Sequence, residues 1–318
     1  MWGNLPGWIV AIVLIIGAVA GAAYLDRLDR VTAPTAFALD TNNLAELDLG
    51  VPLQPLMPDL SGPTDITVQL KSAIDAYHAD SYTYDRAAAG AVPDNYDALP
   101  AIAPTVDVAM SPGAALLAPM KEQTVTYKAN RHELDAIRTL GESLIRAALA
   151  REKSDPTGAI GYYNAAFALG MKMYRERLTY AELSAGLTLM SQSAQQLAKL
   201  PIDPNRAEAL RAFEPARRRL VEERVNPVWR IVGSVDPGVV RQHAGDVFVI
   251  ARDAPERMWR VEAIFALGRY KYSAQRFRDR TNAIGTLEQL AAVETDPIVK
   301  QAAIAARDMT IEDFRMLH

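Results

Sequence analysis

The side chains with the clearest chemical potential in this chain are arginines. Arg217-Arg218-Arg219 and Arg224 fall within one or two helical turns, and Arg276, Arg278 and Arg280 form a second cluster. A guanidinium offers a planar fork of donors that matches the oxygens of a carboxylate or phosphate, so both clusters suit an acidic protein partner or an anionic polymer. The plainer reading is a solvated helix face neutralised by Glu214, Glu222 and Glu223 at i±4-type spacing. Charge is unevenly distributed. The net charge is −4, but residues 26–120 hold 4 Lys+Arg against 13 Asp+Glu, while residues 203–280 hold 16 against 11. Residues 26–120 of a neighbouring copy are therefore one acidic partner the clusters suit. The chain as a whole is no polycation, which disfavours nucleic acid.

Other chemistry is poorly represented. With no cysteine, disulfides, thiolate metal sites and cysteine nucleophiles are excluded. His78, His132, His243 and His318 are scattered, with no pair at i, i+4 and no H-E-x-x-H. Asp75-Ala-Tyr-His-Ala-Asp-Ser-Tyr-Thr-Tyr-Asp85 gathers carboxylates, a histidine and three tyrosines. Oxygen ligands could hold a divalent cation there, but the spacing fits no calcium loop and lacks its glycine. A helix end with tyrosines packed inward and acids in water explains the segment equally. There is no G-x-S-x-G around a serine, and Ser111-Pro112 lies in irregular chain. Neither glycine-rich phosphate cradle is present. The expectation is no catalytic, cofactor-binding or metal-binding residues, and no enzyme. An enzyme with an unrecognised site in residues 80–123 is the alternative.

The element that must position everything else is N-terminal. Trp8–Leu25 is eighteen residues without a charge, nine of them Ile, Val or Leu. As a helix it crosses roughly 27 Å of hydrocarbon, and those nine residues favour insertion by about 3–5 kcal/mol. Trp2, Trp8 and Tyr24 lie where aromatic rings favour the headgroup zone. The expectation is a single-pass anchor within residues 5–25 of a 1–30 segment. Ala18-Val-Ala20 and Ala20-Gly-Ala22 also fit signal-peptide cleavage, but the leader lacks the basic n-region such peptides carry. Gly17 and Gly21 form a G-x-x-x-G face through which two anchors could dimerise. Arg27 and Arg30 favour a cytoplasmic C-terminal side. Long domains translocate largely regardless of such charges, and the reading leans to an extracytoplasmic, periplasmic domain.

Beyond the anchor, residues 31–63 carry Pro34, Pro52, Pro55, Pro58 and Pro63 and no basic residue. That composition predicts an extended acidic linker, with Leu44–Leu49 as a single helical turn at most. Residues 64–129 read as a first helix over Asp65–Ala79 followed by an irregular proline-broken wrap. Thr124–Lys128 carries β-type residues. Residues 130–318 read as an α-helical, repeat-like domain. Asp-Pro pairs at 155, 203, 236 and 296 each supply an N-cap and a proline at N1. Asn130-x-x-Glu133 and Thr179-x-x-Glu182 read as capping boxes. Pro215 predicts a kink or two short helices through Arg224, and Gly285 a break within residues 274–292.

Two segments share a pattern. Pro255–Gly268 and Pro297–Ala306 each pair a proline with a nearby acid, then a basic residue and an alanine-rich stripe, 42 residues apart. Over about 236–308 they resemble the second helices of HEAT-like repeats. Asn164–Leu197 equally resembles a tetratricopeptide-like hairpin through Tyr163, Ala166, Phe167 and Ala185, and a nonrepeating bundle is the other possibility. The resemblance implies stacked helical hairpins presenting a surface to other proteins. The fold class expected is therefore all-α: a transmembrane helix, a Pro-rich linker and antiparallel hairpins with α-solenoid character. The function expected is a membrane-tethered scaffold with one or more protein partners and no activity of its own.

Overall fold

The computed structural model describes residues 39–113, 116, 129–233, 239, 242–273 and 277–315, with side chains placed for most of them. The anchor, its Gly17/Gly21 face, Thr124–Lys128 and Asp236-Pro237 lie outside the described residues. Among the described residues there is no β-strand, and no helix is long and apolar enough to cross a membrane.

The helices are α1 Thr67–Ala79, α2 Ser81–Ala88, α3 Ile102–Met110, α4 Ala129–Arg151, α5 Pro156–Glu176, α6 Tyr180–Leu197, α7 Pro204–Arg219, α8 Asn226–Val232, α9 Ala244–Asp253, α10 Arg257–Ser273, α11 Phe277–Val293, α12 Pro297–Asp308 and α13 Ile311–Arg315. Their starts follow local chemistry. Asp155 accepts from the Gly158 N–H at 2.9 Å, Asp203 from Arg206 at 3.0 Å, and Asp296 from Ile298 at 2.9 Å. Each is followed by proline where a missing amide costs nothing. Thr179 and Glu182 form the expected capping box. Asn130, by contrast, falls inside α4. Pro215 is carried within α7, and the interruption comes later as a π turn over Leu220–Val225. Gly285 breaks nothing, because α11 runs through it. The wrap is less irregular than its prolines suggest: α2 packs on α4, and α3 packs on α1, α4 and α5.

Two helices organise the body. Every residue from Ala165 to Tyr174 of α5 is buried, as is every residue from Val261 to Lys271 of α10. A helix buried around its whole circumference needs neighbours on all sides. α3, α4 and α6 surround α5, while α8, α9, α11 and α12 surround α10. α5 and α6 cross where Gly170 meets Gly186; a Cβ on either would lie 2.7 Å from the other's carbonyl oxygen. Gly268 is likewise interior to α10 and faces Ala306 of α12, so the helix does not close there. A single apolar cluster extends from Leu44 to Ala306.

The expected linker requires correction. Of residues 31–63, those from 39 onward lie on the helical body. Leu44, Leu47, Leu49 and Leu56 are buried, and the helical turn is a 3-10 turn at Thr41–Leu44 rather than Leu44–Leu49. Proline removes amides that would otherwise need partners, but it does not prevent an extended segment from burying leucines.

Candidate interaction surfaces

The first arginine cluster lies at the end of α7 and in the π turn. Arg217 donates to Glu214 through Nε (2.9 Å) and Nη2 (2.7 Å), and Arg218 Nε donates to the same carboxylate at 3.2 Å. Ser191 of α6 also donates to Glu214 at 2.7 Å. The Arg217 hydrogen bond, opposed by partial burial, holds the Glu214 carboxyl down at about 2. One carboxylate thus shares two guanidiniums, which lowers the charge left for a partner. Arg219, Glu222 and Glu223 are exposed beside it.

Arg224 faces inward. Its Nη2 donates to the Ala45 carbonyl at 3.1 Å, and its Nε is buried with no partner among the described residues. In the second cluster Arg280 is exposed on α11. Arg276 and the side chain of Arg278 lie outside the described residues. α7 packs on α6 and α11 on α10 and α12, so the clusters belong to different layers.

The acidic tyrosine segment is absorbed by helix ends. Asp80 accepts from the Thr83 N–H at 3.3 Å and caps α2, and Tyr77 donates to Asp85 at 3.0 Å. Tyr84 accepts from the Ala101 amide at 3.0 Å. His243 Nδ1 meets Asp246 at 2.9 Å. The side chain of His132 and all of His318 are outside the described residues. Among the described residues no three His, Asp or Glu side chains are grouped so as to hold a metal.

A second surface is a groove that the sequence did not reveal. Leaving the 3-10 turn at Leu44, residues 45–49 have no regular secondary structure and meet the end of α5 and the residue before α10. A stretch without helix or ladder inside a helical body needs side chains to satisfy its peptide groups. The Leu47 N–H donates to Glu256 Oε2 at 3.0 Å. Its carbonyl accepts from Tyr174 Oη at 3.1 Å and Arg177 Nη2 at 3.2 Å. Arg177 also donates to Glu256 Oε2 through Nε (3.2 Å) and Nη2 (3.0 Å), so the clamp is closed on itself. Burial pushes the Tyr174 hydroxyl up to about 12, keeping it a donor. Leu44, Leu47 and Leu49 are each 5% exposed or less, whereas Ala45, Glu46 and Asp48 face water. Gly50 ends the segment at φ +67, with Asp48 accepting its N–H at 2.9 Å.

Sequence reading missed Tyr174, Arg177 and Glu256 because they meet only in space; Arg177 and Glu256 are 79 positions apart. The available signal was the Leu-x-x-Leu-x-Leu spacing of 44–49, in which Glu46 and Asp48 flank Leu47. Burying three leucines is worth about 5–9 kcal/mol, and ordering six residues costs about 6–12 kcal/mol. The two nearly cancel, leaving the clamp hydrogen bonds to decide whether the segment stays docked.

No known protein family, no curated protein and no solved structure matches this chain.

Proposed function

We propose that the protein is a membrane-tethered helical scaffold that recruits or braces another protein, with Trp8–Leu25 as a single-pass anchor. The observation that carries this reading is the arrangement of the N-terminal third. An uncharged run ends at Leu25, and only residues 26–38 separate it from a segment strapped across the folded body. Such a connection holds a rigid body close to a surface instead of letting it roam on a long tether.

The order of packing supports stacked hairpins in the C-terminal part. α9 pairs with α10, α11 pairs with α12, and α10 also packs along α12, as second helices do in HEAT-like stacks. The anionic-polymer reading draws less support, because Arg217 and Arg218 are paired with Glu214 and Arg224 is turned inward. In this reading the domain lies on the extracytoplasmic side, and the anchor dimerises through Gly17 and Gly21.

Mild detergent extraction followed by crosslinking tests the reading. The expected result is recovery of the full chain in the membrane fraction with a reproducible stoichiometric partner. Recovery of the chain alone, or free of lipid, overturns it.

A further inference from the structure

The groove holding residues 44–49 is built to read a peptide. Its polar groups address main-chain atoms instead of side chains: Glu256 takes an N–H, Tyr174 and Arg177 give donors to a carbonyl, and Arg224 does the same two residues earlier. Its apolar surface takes leucines at i, i+3 and i+5. Leu39–Gly50 carries Asp40, Glu46 and Asp48 and no basic residue, and the cations that touch it, Arg177 and Arg224, meet its backbone carbonyls. The occupant is thus an acidic, leucine-bearing segment without regular secondary structure. On its C-terminal side Gly50 supplies a pivot with nothing within 4 Å of a Cβ placed there.

We propose that this groove is the binding site for a partner's acidic segment of Leu-x-x-Leu-x-Leu type, occupied at rest by the chain's own residues 44–49. This rests on the scaffold reading and specifies how the partner is held. The resident segment acts as a latch. Displacement moves it about Gly50 and hands the Leu47 positions of the clamp to the incoming backbone. Main-chain recognition supplies affinity, and the leucine spacing supplies selectivity. A tethered occupant competes at an effective concentration of about millimolar, so the latch sets a threshold that weak or mismatched segments fail to cross.

The chain contains no cysteine, so one introduced thiol reports one position. In the full-length detergent-solubilised protein, Leu47→Cys reads the latch through its rate of thiol alkylation. Glu46→Cys carrying a spin label reads it through mobility, without altering a buried residue. The probe is a synthetic peptide of residues 39–50, with a control bearing Leu44→Ala, Leu47→Ala and Leu49→Ala. The expected result is slow alkylation and an immobilised label in the resting protein. The peptide should then accelerate alkylation at least tenfold and free the label at about millimolar concentration, while the control does neither.

Three results would overturn the proposal: alkylation at the free-thiol rate without peptide, no response to peptide, or peptide binding to the unmodified protein that leaves the label immobile. A partner that copurifies but is not displaced by the peptide overturns the groove assignment alone. Absence of any partner, with the peptide still moving the latch, overturns the scaffold reading alone.

Discussion

α5 and α10 occupy equivalent places in the two halves of the body, and each carries a buried lysine. Lys172 of α5 donates to the carbonyls of Ser111 (2.7 Å) and Gly113, just past the end of α3. Lys271 of α10 donates to those of Ala306 (3.1 Å) and Arg307, at the end of α12. Each lysine satisfies carbonyls that a helix end or the chain after it leaves without partners. The two helices differ in everything else polar. Apart from Lys172 and the hydroxyl of Tyr174, the stretch Ala165–Tyr174 of α5 is apolar, and its contact with α6 brings two glycines together. α10 buries Glu262, which accepts from the Tyr180 N–H of α6 at 2.8 Å, and Arg269, which donates to Val232 of α8 at 2.9 Å. Just before it, Glu256 clamps Arg177 and Leu47. One half is held by shape; the other reaches across to its neighbour through buried charge. Shape tolerates loss of a contact gradually, whereas a buried charge that loses its partner is left without compensation.

The strongest test of that contrast is Arg177→Ala. It strands Glu256, which is 5% exposed, and also removes a donor from Leu47. A loss of about 3–5 kcal/mol is expected in denaturant unfolding. A loss below that of any α5 packing variant would break the comparison.

Next is Gly170→Ala, whose new Cβ meets backbone that cannot yield easily. About 1–3 kcal/mol should be lost, and Gly186→Ala should match it because the contact is reciprocal.

The lysines sharpen the comparison through pH. Burial, with Arg175 nearby, pulls the Lys172 ammonium down from 10.5 to about 8. Between those values the unfolded chain binds more protons than the folded one, so this group makes stability rise as pH climbs from about 8 to about 10.5. Lys172→Met should flatten that slope in pH-dependent chemical denaturation. Burial shifts Glu262 the other way, upward. Its contribution is full below the unfolded carboxyl value and is lost as pH rises through the folded one. Glu262→Gln should remove that loss.

The smallest effect is expected at the surface. Arg218 is 67% exposed and shares Glu214 with Arg217, so Arg218→Ala should change stability by less than about 0.5 kcal/mol in the same unfolding measurement.

Much of the helical skeleton was legible from short-range chemistry. Asp155, Asp203, Asp296 and the Thr179–Glu182 pair act within one turn of themselves, so their residue types suffice to place a helix start. Proline content misled at 39–63, where it suggested a free tether. Pro215 likewise suggested a break at itself, but the interruption lies at Leu220–Val225. The arginine clusters were legible as composition only. Helical spacing already offered Glu214 to Arg217 and Arg218, but nothing in it indicated that Arg224 reaches back 179 residues to Ala45.

By itself the sequence settled the all-helical class, the helix starts at Asp155, Thr179, Asp203 and Asp296, and the absence of any thiol chemistry, because each depends on residue identity or on neighbours within a turn. The tertiary structure decided which charges are buried, that Gly170 faces Gly186, and that the leucines at 44, 47 and 49 are buried while Leu47 is clamped by Tyr174, Arg177 and Glu256. Those outcomes depend on chain closure over tens to hundreds of residues. There, the free energy of desolvating a charge or burying a leucine is set by whatever element arrives opposite it, which no local pattern records.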